Sequence, residues 1–174
     1  MTHVYRGIKR RLNLTEKLEL AIPGYKGYKE KELRREADRL IREHMLRNLE
    51  PAYRDFKSLM ISVAQANDAG LMQLYNQVQA TFDRVISKLR TASYGYSGFF
   101  DAVKIRENEL DALLEYDWWL FNAVDKLCKV VREASASEPG KLAAVLSNLR
   151  SELLSFEELL VKREEVIKGV RGEY

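Results

Sequence analysis

At 174 residues the chain has the length of one domain with a sizeable core, and no linker-like stretch divides it. Its 46% hydrophobic and 32% charged residues, with few Gly and Pro, describe a globular protein rich in amphipathic helices, with a formal net charge of only +3. The lone Cys128 excludes an internal disulfide and a cysteine-based zinc cluster; no uncharged apolar run is long enough to span a membrane, and the charged segment Met1–Arg11 lacks the apolar core of a secretory signal, so the expected location is cytoplasmic.

The pattern predicts a short amphipathic helix around Ile8–Leu20, ended by Pro23-Gly24. A glycine-tyrosine loop follows, Ile22-Pro23-Gly24-Tyr25-Lys26-Gly27-Tyr28-Lys29, and runs into a charged helix start. From about Tyr28 to Asn67 the residues Leu33, Ala37, Ile41, Met45, Leu49, Ala52, Phe56, Leu59 and Val63 recur at threes and fours, which sets them along one helical stripe. Pro51 lies within this stretch, where it lacks a helical donor and crowds the preceding turn, so a kink or a fresh start near Glu50 is expected.

Asn67-Asp68-Ala69-Gly70 supplies turn and cap residues, and Leu71, Leu74, Val78, Phe82, Val85 and Leu89 mark a further helix ending near Ala92. A second glycine-tyrosine loop is expected at Ser93-Tyr94-Gly95-Tyr96-Ser97-Gly98. The next stripe, from Val103 through Leu110, Leu114, Trp118, Phe121, Val124 and Cys128 to Val131, is apolar all round at Trp118-Trp119-Leu120-Phe121, as suits a helix enclosed by neighbours or docked on another subunit. Ser137-Glu138-Pro139-Gly140 reads as a helix start with serine as cap, and the last stripe runs from Leu142 to Val170 with Arg163 as its one polar interruption. The expected fold is all-α: an elongated antiparallel helical bundle of three long helical segments plus shorter helices, with coiled-coil-like packing. It forms one domain over 1–174, with the short helix and loop in 1–27 and the long-helix bundle in 28–174.

Residue chemistry offers little for catalysis. Neither His3 nor His44 has a glutamate three residues before it, as a di-iron bundle requires, and no phosphate-binding or nucleophile-elbow motif occurs. An enzyme is the least supported class, and neither a metal nor a cofactor is expected. Glu107, Asp111, Glu115 and Asp117 read as a solvated acidic face or one matched to the basic helix, and Cys128 as a small core residue.

The basic residues are concentrated in Met1–Lys57, but acids interleave with them at helical spacing, as in Glu30-Arg34, Asp38-Arg42 and Glu43-Arg47. Three functional readings follow. The first is an interaction or scaffold protein acting through protein-protein contacts or self-association, with Trp118, Trp119 and Phe121 as interface residues. The second is binding of an anionic surface, nucleic acid or acidic lipid, through the basic N-terminal helix. The third is a small phosphorylated-ligand site at the two loops, formed by Lys26, Tyr28, Lys29, Arg34, Arg35, Tyr94 and Tyr96, because glycines admit close backbone approach and a helix start presents free N–H groups.

Overall fold

The computed structural model describes residues 13–28, 34–96 and 107–168, with the backbone alone at 92–96 and 107–108. Helix α1 covers 13–21, α2 Arg34–Ser58, α3 Met60–Gln65, α4 Ala69–Tyr96, α5 Glu107–Ala136 and α6 Pro139–Lys168. No strand occurs among the described residues, and the helices pack as the all-α bundle that the periodicity predicts. Four of them are long, with 25 residues in α2, 28 in α4 and 30 each in α5 and α6.

Side-chain pairs define the directions of these helices. Tyr53 donates to Asp83 at 2.7 Å and Arg90 to Glu50 at 2.7 Å, so α2 and α4 are antiparallel. Lys126 pairs with Glu152 and Arg163 with Asp117, so α5 and α6 are antiparallel as well. His44 stacks on Phe121 and the Cys128 thiol donates to the Asn48 carbonyl, which makes α2 and α5 parallel neighbours. Helices α2 and α6 each pack against both α4 and α5, so the consecutive helices α4 and α5 face each other across the bundle.

The long second stripe is interrupted at Leu59, eight residues beyond Pro51. Pro51 remains inside α2. Both it and Arg47, whose carbonyl it leaves without a helical donor, face solvent, and that exposure lets the helix tolerate the missing bond. At Ser58 the local competition is stronger. Its hydroxyl donates to the Asp55 carbonyl at 2.6 Å, the acceptor that Leu59 N–H would otherwise use, and Leu59 N–H bonds Phe56 instead at 3.0 Å. Helix α3 then restarts on the same apolar stripe, with Val63 fully buried.

The turn before α4 has the expected cap. Asn67 takes a left-handed φ of 49°, and Asp68 Oδ1 accepts from the N–H groups of Gly70 and Leu71. At the other long turn Ser137 does something different from the expected capping of α6: its hydroxyl donates to the Glu133 carbonyl, closing α5, and α6 opens directly on Pro139. Helix α4 also runs through Ser93–Tyr96, where the sequence predicts a loop. One glycine at about 1 kcal/mol does not stop a helix that is already propagating.

The stripe positions from Ala37 to Val63 are all buried, together with Val78, Phe82 and Val85 of α4, Leu120 and Val131 of α5, and Leu146, Leu149, Leu153 and Phe156 of α6. Phe56 anchors the centre, with its ring 4.7 Å from Tyr75 and 5.5 Å from Phe82 between centroids. Phe56→Ala should destabilise the fold by about 3–5 kcal/mol in urea denaturation, with Phe56→Leu costing clearly less, because the fully buried ring is packed between α2 and α4 against Tyr75 and Phe82 and leaves a cavity when removed.

Candidate functional site

The first glycine-tyrosine loop turns back at Pro23-Gly24. Tyr25 N–H donates to the Ile22 carbonyl at 3.1 Å, with Pro23 and Gly24 as the central residues and Gly24 at φ 86°, the geometry that proline followed by glycine favours. Gly27, at φ 72°, brings the chain so close to α1 that a Cβ there would lie 3.1 Å from the Thr15 methyl carbon. These two turns direct the rings of Tyr25 and Tyr28 inward, edge to face with centroids 6.1 Å apart, and both are almost completely buried.

Beneath them lies a polar cluster that joins four segments of the chain. Arg163 of α6 donates from Nε to Asp117 Oδ1 at 2.6 Å, from Nη1 to Asp38 Oδ1 at 2.8 Å, and from Nη2 to the Tyr28 hydroxyl at 3.0 Å. The Tyr28 hydroxyl in turn donates to Asp117 Oδ2 at 2.6 Å, and Arg42 donates from Nε to Asp38 Oδ2 at 2.9 Å. Asp117 is fully buried and Arg163 is 3% exposed. Two guanidinium groups face two carboxylates, so the cluster carries no net charge.

Burial pushes the Asp117 carboxyl above its ordinary range, opposed by Arg163 and by the Tyr28 hydroxyl bond. Tyr25 and Tyr28 are raised, first by burial and then by the Asp117 charge, and both stay protonated near neutrality. Arg163 is raised because the surrounding anionic groups outweigh its desolvation. The Tyr25 hydroxyl is the one buried side-chain oxygen or nitrogen among the described residues without a hydrogen-bond partner. Chemically the cluster clamps its segments together, since its donors and acceptors are used on one another.

Asp117 thus departs from the solvated acidic face expected of it. Its turn of α5 points inward because Leu113, Leu114 and Leu120 beside it are core residues, and Arg163 meets it there. Asp38 and Arg42 form the expected pair four residues apart, but inside the molecule. The one legible sign of this cluster was Arg163, a cation standing on an otherwise apolar stripe.

The other predicted residues have different surroundings. Lys26 is exposed on the loop, the Arg34 guanidinium donates from Nε to the Tyr28 carbonyl at 3.1 Å, and Arg35 is exposed. Lys29 lies outside the described residues, as do the side chains of Tyr94 and Tyr96. Continuing from the Arg90–Glu50 pair, the last turn of α4, which carries those two tyrosines, runs alongside the middle of α2 rather than its start at Arg34. Cys128 is half-buried, its thiol raised by burial.

Around Trp118 an aromatic stack covers the seam between α2 and α5. Phe121 lies between His44, at 4.9 Å, and Trp118, at 5.7 Å, and Lys17 of α1 sits 5.2 Å from the Trp118 ring centroid. Trp119 is the more exposed of the two tryptophans. It is 43% exposed, edge-on to Tyr116, and borders an open notch of about 290 Å³ with Asn13, Leu14, Lys17, Glu115 and Trp118.

Among the described residues no three His, Cys, Asp or Glu side chains gather as a metal site, and no helix is long and apolar enough to cross a membrane. No protein-family model, curated protein or solved structure matches the chain.

Replacing Arg163 by Met should cost about 3–5 kcal/mol at pH 7, because it leaves the fully buried Asp117 carboxylate without its cation, while Asp38 keeps only Arg42. The pH dependence has a definite sign. A carboxyl whose folded value is raised stabilises the native state most below its ordinary value of about 4, and that contribution is lost as pH rises through the folded value. Removal of the guanidinium raises Asp117 further, so the deficit of Arg163→Met relative to wild type should narrow between pH 7 and pH 5 in urea titrations; a deficit that widens would contradict the buried clamp.

Proposed function

We propose that this protein is a cytoplasmic helical interaction module that works by docking another protein at the corner between α1 and α5. The observation that carries the reading is Trp119, a large aromatic ring held out beside a notch while its neighbours Trp118 and Phe121 are committed to the seam below. Tryptophan in such a setting is the residue type that most often anchors a protein partner, because it brings a large apolar area at little entropic cost. Leu20, exposed on α1, adds apolar surface to the same helix that lines the notch.

The reading of the polar cluster as a clamp supports this function over a catalytic one, because its carboxylates and guanidinium groups are turned to one another inside the fold. The anionic-surface alternative has less support. Arg39 is paired with Glu36 and Glu43, and Arg42 with Asp38, so much of the charge on the basic helix is matched along its own length.

A photo-crosslinking amino acid at position 119 should give one discrete adduct with a protein other than this chain, absent when the crosslinker is at Lys129 on the same helix. Excess wild-type chain should compete the adduct away and Trp119→Ser should not. Identical adducts from both positions, or competition by Trp119→Ser equal to that of wild type, would remove the corner as the docking site.

A further inference from the structure

Helices α2 and α4 leave an open groove of about 460 Å³ between them, a volume within the range of small-molecule sites. Each wall is one face of a helix. Glu50, Arg54 and Lys57 follow one another at four and three residues on α2, and Asp83, Ser87 and Arg90 do the same on α4, which runs the opposite way. None of these residues belongs to the notch beside Trp119.

The groove has a fixed frame. Ile86, which lines it, is buried, and the Tyr53 ring stacks on Phe82 with centroids 5.1 Å apart. The Tyr53 hydroxyl donates to Asp83 Oδ1 at 2.7 Å, and Arg90 donates to Glu50 at 2.7 Å, so two bonds across the groove hold its walls at a set separation. Burial and the bond to Asp83 keep the Tyr53 hydroxyl above its ordinary range, so it remains a donor and keeps the carboxylate oriented.

These bonds separate the polar groups already used from those that remain. Glu50 is matched by Arg90, and Asp83 Oδ1 is held by Tyr53, which leaves Asp83 Oδ2 as an acceptor. Among the described residues, Arg54 and Lys57 have no carboxylate partner, and the Ser87 hydroxyl has no hydrogen bond. The Lys57 ammonium lies 4.6 Å from the Tyr53 ring centroid, a contact that leaves its N–H donors available. Earlier in α2 the pattern is different, because Arg39 and Arg42 pair with Glu36, Glu43 and Asp38.

We propose that this groove binds a small phosphomonoester carrying hydroxyl groups, of the sugar-phosphate class, with Arg54 and Lys57 on the phosphate and Asp83 on a hydroxyl. The lining selects that class. A guanidinium with paired donors, an ammonium and the Ser87 hydroxyl together suit the oxygens of a phosphate. A bare anion would meet the Asp83 and Glu50 carboxylates with nothing to offer them, whereas a hydroxylated one donates to the open Asp83 oxygen. A nucleobase finds no platform, since Tyr53 is the only aromatic ring of the lining and is already stacked on Phe82 with Lys57 over it.

Amide chemical-shift titration of the full chain with glucose-6-phosphate, glycerol-3-phosphate, inorganic phosphate and glucose tests the proposal. The two phosphomonoesters should give saturable shifts centred on residues 50–57 and 83–91, about tenfold or more tighter than inorganic phosphate, and glucose should give none. Arg54→Gln and Lys57→Gln, each with unchanged helical circular dichroism, should each weaken binding by about tenfold. Asp83→Asn should narrow the preference for phosphomonoesters over inorganic phosphate, and Arg150→Gln, at an exposed arginine of α6 outside the groove, should change nothing. No saturation below about 10 mM, equal affinity for phosphomonoester and inorganic phosphate, or a loss in Arg150→Gln equal to that in Arg54→Gln would each overturn the proposal, the last two as adventitious anion binding.

Discussion

The arrangement at one end of the bundle rests on the Arg163 guanidinium. Its three nitrogens reach α5 through Asp117, α2 through Asp38, and the loop before α2 through Tyr28, so one planar group ties three helices and a loop together. Apolar stripes alone leave neighbouring helices free to slide by a turn at modest cost, whereas buried ions at fixed positions do not. A shift of α6 against α5 would strand Arg163 and Asp117 away from water. Burying these ions costs desolvation that offsets much of what their pairing returns, as is general for buried ion pairs.

The clamp also explains the glycine-tyrosine loop. Tyr28 reaches Asp117 only because the chain reverses at Pro23-Gly24 and presses against α1 at Gly27. Once that loop is pinned, α1 lies over the seam of α2 and α5, where Leu18 is fully buried and Lys17 caps the Trp118 face. Positioning the notch beside Trp119 thus depends, through the loop, on a charge cluster deeper in the fold.

Much of this structure could be read in the sequence because helical burial is periodic. Ala37, Ile41, Met45, Leu49, Ala52, Phe56, Leu59 and Val63 were all recognisable as one stripe, and all are buried. The Asn67–Gly70 turn was equally plain, since its cap uses only residues adjacent in sequence. Breaks were less legible. Proline signals a defect strongly, yet solvent at Arg47 absorbs that defect, while Ser58 ends α2 through a side-chain bond whose rotamer no pattern reveals. Asp117 was misplaced for a related reason: a carboxylate among carboxylates reads as surface, and only a partner forty-six residues away makes its burial tolerable.

The sequence by itself determined the apolar stripes, the Asn67–Gly70 cap and the absence of charge along α3 and early α4, because each depends on residues within a few turns of one another. Tertiary structure decided which helices are neighbours, that α4 and α5 face each other across the bundle, and that Tyr28, Asp38, Asp117 and Arg163 meet. Those outcomes depend on contacts between residues up to 135 positions apart, and the periodicity of a single helix carries no information about which partner will cover its stripe.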